Sequence, residues 1–378
     1  MKKHLVTLAL LVTGTWGAGS APIADASMPG AVQPLAPGQR KASALPTLDW
    51  SGRPPEIERV EFASNGNIEV AHALVLVTGE ADPDRWLYLV RQSVDGAFGE
   101  RASLHEVDVS VYRAETYQGF GGPAPVMTAS VPKARLHEFA RKGLQFERLW
   151  VQRAHLALES SPPELAGREQ GLKSTEASEN LFYHGSEQRW EAALTFDDSP
   201  HPLYEPLLLD TLSRSKVHAT FFCIGRNARV YPHFISDMTR QGHEVANHTY
   251  HHVRLPALGN SAVAREIELA NSILEGLTEQ KCRLFRPPGG EYSKQTLKVA
   301  EELGMTTVFW TDDPCDFDNP GEAVIEDRLV EHLRPGGIVL LHDNVEETIE
   351  ILPRFVRVAD RKGYQLMTAG ELASRQNQ

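Results

Sequence analysis

The chain has 378 residues, of which 41% are apolar and 23% charged, and its formal net charge at pH 7 is -12. This length and apolar content are sufficient for a substantial core and favour two domains over one. The excess of acidic groups argues against bulk electrostatic binding to nucleic acid or to an anionic lipid surface.

The first residues have the pattern of an export signal. Two lysines at the start precede an apolar run at residues 5–16, and the small-residue sequence at 24–26 is a cleavage site. The run is shorter than the roughly 20 apolar residues that a membrane-spanning helix needs. We therefore expect a signal peptide at 1–26, cleavage after Ala26, and a periplasmic or extracellular protein with no stable membrane span.

Residues 27–56 are rich in Pro, Ala and Gly and have no hydrophobic period, which predicts a flexible lead-in. Order begins at about Ile57. The dipeptide Asn65-Gly66 within an otherwise strand-like stretch is a strong hairpin signal. Further apolar runs predict strands at residues 74–77, 86–90 and 107–111. A helical period predicts a helix at residues 133–141.

These elements predict a β-rich domain at 57–160. It contains no acid pair, metal-ligand spacing or nucleophile arrangement, so we expect an accessory domain that positions the protein on a polymer or packs against its neighbour. The polar segment at 161–187 opens with Ser-Pro-Pro and is predicted to be the linker.

From residue 188 to the end at 378, strand-like and helix-like runs alternate. Strands are predicted at 191–197, 219–224, 243–247, 283–287, 306–311, 337–342 and 364–368, with helices such as 261–277 and 322–333 between them. This alternation predicts a parallel α/β sheet that is closed, or nearly closed, into a barrel. In a barrel of this kind the chemistry lies at the C-terminal ends of the strands.

Polar residues follow those strand ends in five places. They are Asp197-Asp198, the His-rich run 248–252, the Arg-Pro-Pro-Gly-Gly run 286–290, Asp313 with Asp316, and His342-Asp343. Scattered surface polarity would not favour one end of each strand, so the sequence predicts one site at this rim.

Two adjacent carboxylates are costly to bury unless a cation or a shared proton is present. His248 and His252 are four residues apart, a spacing that suits two ligands to one metal. With one carboxylate they would give two nitrogens and an oxygen with an open position for water, as in catalytic zinc sites. Taken alone, the acid pair also fits two solvated turn residues, and the His-rich run also fits an exposed surface segment.

Over residues 188–375 the sequence resembles the polysaccharide deacetylase family, also called the NodB-homology domain or carbohydrate esterase family four. The family motifs occur in order as Thr195 to Pro200, His248 to His252, Arg286 to Gly290, Asp313 to Phe317 and Leu340 to His342. Three positions differ from the usual residues: Ser199 replaces Gly, Gly289 replaces Tyr, and Phe317 replaces Trp.

The resemblance implies a distorted seven-stranded (β/α) barrel that hydrolyses N-acetyl groups with one divalent ion, zinc first and cobalt or nickel as alternatives. It assigns metal binding to Asp198, His248 and His252, and water so bound becomes acidic enough to act near neutral pH. It makes Asp197 the general base, held by Arg286, and His342 the general acid. An acid of the fourth motif tunes that histidine, and we favour Asp316 over Asp313.

The resemblance also places three residues around the acetyl group. The backbone N–H after Arg-Pro-Pro, at Gly289, would donate to the oxyanion, which needs no side chain. Phe317 would keep an apolar wall, and Leu340 would face the acetyl methyl. These departures affect the choice of substrate more than the chemistry.

We therefore expect an exported deacetylase acting on acetylated glycan, peptidoglycan GlcNAc first and chitin-like oligomers second. An O-deacetylase of the acetylxylan type is the alternative enzyme, and a non-catalytic glycan-binding envelope protein is the alternative class. The three cysteines, Cys223, Cys282 and Cys315, are predicted to be core thiols, with one disulfide left open.

Overall fold

The computed structural model describes residues 45–119, 122–152 and 180–375. The predicted signal peptide, the start of the lead-in and the predicted linker up to residue 179 lie outside these residues. None of the helices described is long and apolar enough to cross a membrane.

The first sheet contains five strands in the order β1-β2-β3-β4-β5, with β2 and β3 parallel and the other pairs antiparallel. Its strands are β1 (Ile57–Ser64), β2 (Glu69–Val77), β3 (Glu106–Arg113), β4 (Met127–Pro132) and β5 (Leu149–Val151). Helix α1 (Pro83–Glu100) makes the crossover from β2 to β3, and α2 (Leu136–Lys142) follows β4. The β1–β2 hairpin turns at Asn65-Gly66, as expected, with Gly66 at φ 80°.

The predicted strand at 86–90 is wrong, because these residues lie in α1. Asp82 caps the helix by accepting the N–H of Arg85, and Pro83 occupies the first turn, where no donor is lost. The buried residues of α1 recur at helical spacing along one face that covers the sheet. The predicted strand at 74–77 is not separate either, since it is the second half of β2.

The second sheet is parallel and curls into a barrel, in the order β12-β7-β8-β9-β10-β11-β6 with β13 on β7. Its strands are β6 (Leu181–Phe182), β7 (Glu191–Ser199), β8 (Thr220–Cys223), β9 (Glu244–Asn247), β10 (Leu284–Phe285), β11 (Thr306–Val308), β12 (Gly337–His342) and β13 (Gln365–Met367). The helices are α3 (Glu205–Ser215), α4 (Gly225–Val230), α5 (Pro232–Arg240), α6 (Asn260–Thr278), α7 (Lys294–Glu302), α8 (Glu322–His332), α9 (Glu346–Arg361) and α10 (Ala369–Arg375).

This architecture confirms the predicted fold class, a distorted (β/α) barrel with a smaller N-terminal β-rich domain. All seven predicted barrel strands are present. One further strand, β6, lies in the segment predicted as the linker and pairs with β11. With two residues, β6 is too short for a hydrophobic period to reveal it.

The first sheet packs against α4 and α5 of the barrel through polar as well as apolar groups. Arg148 donates to Asp237 on α5 at 2.5 Å and to Glu106 on β3 at 2.9 Å, and its side chain is 8% exposed. Tyr231 shares a hydrogen bond with Ser110 at 2.9 Å. These buried polar contacts join the first sheet to α5 and to the junction of α4 and α5.

Candidate active site

The adjacent acids lie at the C-terminal end of β7, whose residues from Ala192 to Ser199 are buried. Asp197 pairs in register with His342 on β12, so the predicted base and acid end neighbouring strands. Asp198 has φ 72°, in the left-handed region that Asp tolerates better than most residues. The strand is irregular here, with a register shift against β8 between Phe196 and Ser199, and the two carboxylates lie at the rim.

Three predicted metal ligands come together beside this turn. The ligand atoms of Asp198, His248 and His252 all lie within 4.8 Å of one another. His252 Nε2 is 3.1 Å from Asp198 Oδ1, and His248 Nε2 is 3.8 Å from the same oxygen. His248 follows β9, so ligands from two strand ends meet at one point.

The donors fit a divalent ion of the zinc type. His248 Nδ1 is 2.8 Å from the carbonyl oxygen of Arg286, which can only accept, so Nδ1 carries the proton and Nε2 has a lone pair. Burial lowers the pKa of His248 to about 4, although Asp197 opposes this shift, so the imidazole is neutral at pH 7. Neutral imidazole and carboxylate are the forms that bind metal, and two nitrogens with one oxygen are a ligand set of catalytic zinc.

The segment between the two histidine ligands is held by Glu266 on α6, a residue that the sequence did not single out. Its carboxylate, 2% exposed, accepts from the backbone N–H of His251 at 2.8 Å and lies 2.6 Å from the His251 ring. Thr249 Oγ1 accepts the N–H of His252 at 3.1 Å. A carboxylate 15 residues from its partner leaves no local signal, so only the fold reveals this contact.

Asp197 is held by Arg286, which follows β10. Arg286 Nη1 donates to Asp197 Oδ1 at 2.7 Å and to Thr195 Oγ1 at 2.9 Å. The other guanidinium nitrogens donate to the carbonyl oxygens of Val308 and Phe309 at 3.3 and 3.2 Å. Burial lowers the pKa of Arg286, but the Asp197 carboxylate opposes that effect. The guanidinium therefore fixes the position of the Asp197 carboxylate at the rim.

His342 is paired with the second acid of the fourth motif. Its Nδ1 lies 2.7 Å from Asp316 Oδ1, and Asp316 also accepts from the His342 backbone at 2.8 Å and from Thr348 Oγ1 at 2.7 Å. Burial alone would lower the pKa of His342, but the charge and hydrogen bond of Asp316 outweigh it and raise the pKa to about 10. The imidazolium is therefore the stable form at neutral pH.

Asp313 has a different environment from Asp316. Its Oδ1 accepts the backbone N–H of Cys315 at 2.8 Å, and burial raises its pKa. The structure thus brings Asp316 rather than Asp313 into contact with the predicted general acid.

The three residues predicted around the acetyl group lie at the same rim. Gly289 has φ 63°, and a Cβ added there would meet nothing within 4 Å, so the space above it is open. The Phe317 ring lies edge-on to His342 with centroids 5.4 Å apart. Leu340 is 3% exposed on β12.

All three cysteines are free, and Cys223 and Cys282 are buried, as core thiols would be.

Comparisons with known proteins identify the family of this chain. The fold and the ligand cluster define a barrel protein with a candidate metal centre beside an acid–base pair. The Polysaccharide deacetylase family model matches residues 184–308. A peptidoglycan-N-acetylglucosamine deacetylase from Bacillus cereus is 35% identical over 185 residues, which cover 48% of this chain and 86% of that protein. The chain therefore belongs to the polysaccharide deacetylase family.

The family includes proteins named as deacetylases and at least one protein described as a pseudoenzyme. A chitooligosaccharide deacetylase from Sinorhizobium fredii is 37% identical over 185 residues, 45% of this chain and 86% of that protein. The solved structure of a CE4 family pseudoenzyme from Bacillus anthracis has a TM-score of 0.50 and 29% identity over 52% of this chain and 69% of that chain. Membership of the family thus supports N-acetyl hydrolysis, while activity depends on the residues of each site.

Proposed function

We propose that this protein is an exported, zinc-dependent deacetylase that removes N-acetyl groups from GlcNAc-containing glycan, peptidoglycan first and chitin-like oligomers second. The observation that carries the proposal is the meeting of Asp198, His248 and His252 within 4.8 Å, next to Asp197. The names of the relatives from Bacillus cereus and Sinorhizobium fredii support glycan de-N-acetylation.

The residues of the chain supply the proton transfers of an amide hydrolysis. Asp197, held in place by Arg286, takes a proton from the water whose oxygen adds to the acetyl carbonyl carbon. His342, protonated through its contact with Asp316, gives a proton to the amide nitrogen as the C–N bond breaks. Acetate and a free amino sugar are the products. An ion bound by Asp198, His248 and His252 would supply a Lewis acid that polarises the carbonyl.

Stabilisation of the oxyanion needs a donor besides the ion. The backbone N–H of Gly289 is the candidate, because the left-handed φ of 63° at this residue belongs to a turn directly after Arg286-Pro287-Pro288. A backbone donor is independent of the side chain, so the replacement of Tyr by Gly leaves this role possible while opening the groove.

Acetate release from a panel of glycans tests the proposal. The full-length protein is incubated with peptidoglycan, chitin oligomers and acetylxylan, before and after removal of metal by a chelator, and elemental analysis measures the bound ion. We expect acetate from N-acetylated substrates, loss of that activity with the ion, and recovery on adding zinc. Acetate from acetylxylan alone would establish the O-deacetylase instead, and binding without acetate release would establish a glycan-binding protein.

Export is the second part of the proposal. It is supported by the lysines, apolar run and cleavage sequence within residues 1–26, which lie outside the described residues. Expression of the whole gene product followed by N-terminal sequencing of the periplasmic or secreted protein tests it. A start after Ala26 is expected, and a cytosolic protein that begins at Met1 would contradict it.

A further inference from the structure

Three aromatic side chains form an exposed stack at the rim of the barrel, which we call the aromatic platform: Tyr183, Phe309 and Tyr292. The Tyr183 and Phe309 rings lie parallel, with centroids 4.7 Å apart and planes 11° apart. Tyr292 packs on Phe309 at 5.2 Å, and the two tyrosine hydroxyls are 3.4 Å apart. Phe309 is 7% exposed beneath them, whereas Tyr183 and Tyr292 are 42% and 40% exposed.

The platform lies at the catalytic rim of the barrel. Tyr183 directly follows β6, Phe309 directly follows β11, and Tyr292 comes two residues after the Gly289-Gly290 turn. The carbonyl oxygen of Phe309 accepts from Arg286 at 3.2 Å, and the same guanidinium donates to Asp197 at 2.7 Å. One side chain therefore separates the platform from the predicted general base.

Core packing accounts for Phe309 but not for the exposed tyrosines. Among the described residues, the other large apolar side chains that are exposed lie elsewhere: Tyr88 on α1, Trp190 before β7 and Val324 on α8. Tyr183 and Tyr292 instead touch each other and present two rings and two hydroxyls side by side. Such adjacent rings beside a site indicate a binding surface.

The chemistry of the platform suits a pyranose ring. A sugar ring has an apolar face of C–H groups and a rim of hydroxyls, and a tyrosine offers a flat apolar ring with a hydrogen-bonding group at its edge. The platform carries no charge, and the chain has a net charge of -12, so a polyanion is disfavoured. The turn next to it bears no side chain at Gly289, which leaves the approach from Asp197 open.

We propose that Tyr183 and Tyr292 form a sugar-stacking subsite, which holds a pyranose further along the glycan, beyond the sugar next to the acetylated residue at Asp197. The inference rests on the proposed glycan substrate. It predicts that the protein prefers longer oligomers, because only these reach both the acetyl site and the platform.

The experiment compares chitobiose with chitohexaose. Tyr183→Ala and Tyr292→Ala are assayed for kcat/KM of acetate release on both, and binding of chitohexaose is measured by calorimetry in the Asp197→Asn background, where turnover is strongly slowed. Tyr183→Phe and Tyr292→Phe keep the rings, and Tyr88→Ala removes an exposed tyrosine far from the rim. Tyr183→Leu still covers Phe309 and serves if the alanine variants unfold.

We expect kcat/KM on chitohexaose to fall at least about ten-fold more than on chitobiose in the Ala and Leu variants, with weaker binding of the hexamer. The Phe variants and Tyr88→Ala should keep the preference for the hexamer. Unchanged hexamer preference and affinity in the Ala and Leu variants would overturn the subsite. If the parent protein releases no acetate, the proposed function fails, and the calorimetric affinities alone then decide whether the platform binds sugar.

Discussion

Arg286 and Asp197 form a buried ion pair across the barrel, with Nη1 2.7 Å from Oδ1 and side chains that are 0% and 6% exposed. Arg286 directly follows β10 and Asp197 lies two residues before the end of β7, so the pair joins two non-adjacent strands. A charge-assisted hydrogen bond of this kind fixes the position of the carboxylate. The same guanidinium supports the backbone of Phe309, so it links the candidate base to the aromatic platform.

The buried pair should be strongly coupled. Arg286→Met leaves the Asp197 carboxylate buried without its cation, so we expect it to lower the free energy of unfolding by about 3–5 kcal/mol. Adding Asp197→Asn to that variant removes the uncompensated charge and should restore part of the loss, with a coupling energy of at least about 1 kcal/mol. Urea unfolding of the four metal-free proteins measures the cycle. Strictly additive losses would show that the two side chains do not stabilise each other.

Asp316 should set the basic limb of the activity profile. Asp197→Asn and His342→Ala are each expected to lower kcat by roughly 10²- to 10⁴-fold. Asp316→Asn removes the negative partner that stabilises the imidazolium, so the pKa of His342 falls from about 10 and the acid is lost at lower pH. The basic limb of kcat should therefore move to lower pH.

Asp313→Asn is the matched control for that shift, because Asp313 contacts Cys315 instead of His342. Profiles of kcat against pH for the two variants and the parent give the measurement. A basic limb that moves equally in both variants would contradict the assignment of Asp316.

His252 should be necessary for metal binding. His252→Ala removes one of three ligands, so we expect loss of most bound metal and nearly all activity in a folded barrel. His332→Ala is the control, because its side chain is 48% exposed at the end of α8. Elemental analysis and circular dichroism check both variants. About one tightly held divalent ion in folded His252→Ala would show that the ligand assignment is wrong.

Arg148 should be a main support of the contact between the two domains. It neutralises Glu106 and Asp237, and burial with the nearby Glu106 charge raises the pKa of Asp108. Arg148→Met leaves Glu106 without this cation and Asp237 with only the exposed Arg240, and we expect it to cost about 3 kcal/mol of unfolding free energy. The exposed pair of Arg59 with Glu61 provides the control, since Arg59→Met should cost less than about 1 kcal/mol. Similar small losses in both variants would mean that the interface does not depend on this charge.

His243 should make the protein sensitive to acid. Its Nδ1 accepts the N–H of Ala219 at 3.2 Å, and burial followed by the nearby His218 lowers its pKa to about 4. Between about pH 6.5 and pH 4 the imidazole of His243 binds a proton in the unfolded chain but not in the folded chain. The stabilisation from the neutral ring is therefore fully present above about pH 6.5, and the free energy of unfolding falls as the pH drops towards about 4.

His243→Asn can still accept the N–H of Ala219 but does not titrate. We expect it to be less stable at pH 7, because the ring packs on Phe221, and to lose about 2 kcal/mol less than the parent between pH 7 and pH 5. The exposed His137 gives the control variant, His137→Asn, which should keep the slope of the parent. Urea unfolding at several pH values measures both. Parallel stability curves for parent and His243→Asn would contradict the assignment.

The sequence by itself was sufficient for the barrel and for the composition of the candidate site. The Asp197-Asp198 pair, the spacing of His248 and His252, and the runs at strand ends are local patterns, and a parallel barrel brings strand ends to one rim whatever its details. Hydrophobic periodicity and helix capping are also local patterns, yet the apolar run at 86–90 was ambiguous, because a short run of this kind fits both a strand and a helix. The burial of one helix face against the first sheet favours the helix α1.

Only the tertiary structure decided which distant groups meet. Glu266 reaches His251, Arg148 reaches Asp237, and Tyr183 reaches Tyr292 across 109 residues of chain. Contacts between segments that are far apart in the chain depend on strand order and on how the helices pack. The spacing of residues along the chain predicts neither of these. The choice of Asp316 as the partner of His342 was already made with the family resemblance and agrees with the contact in the structure, whereas the exposure of the aromatic platform follows from packing alone.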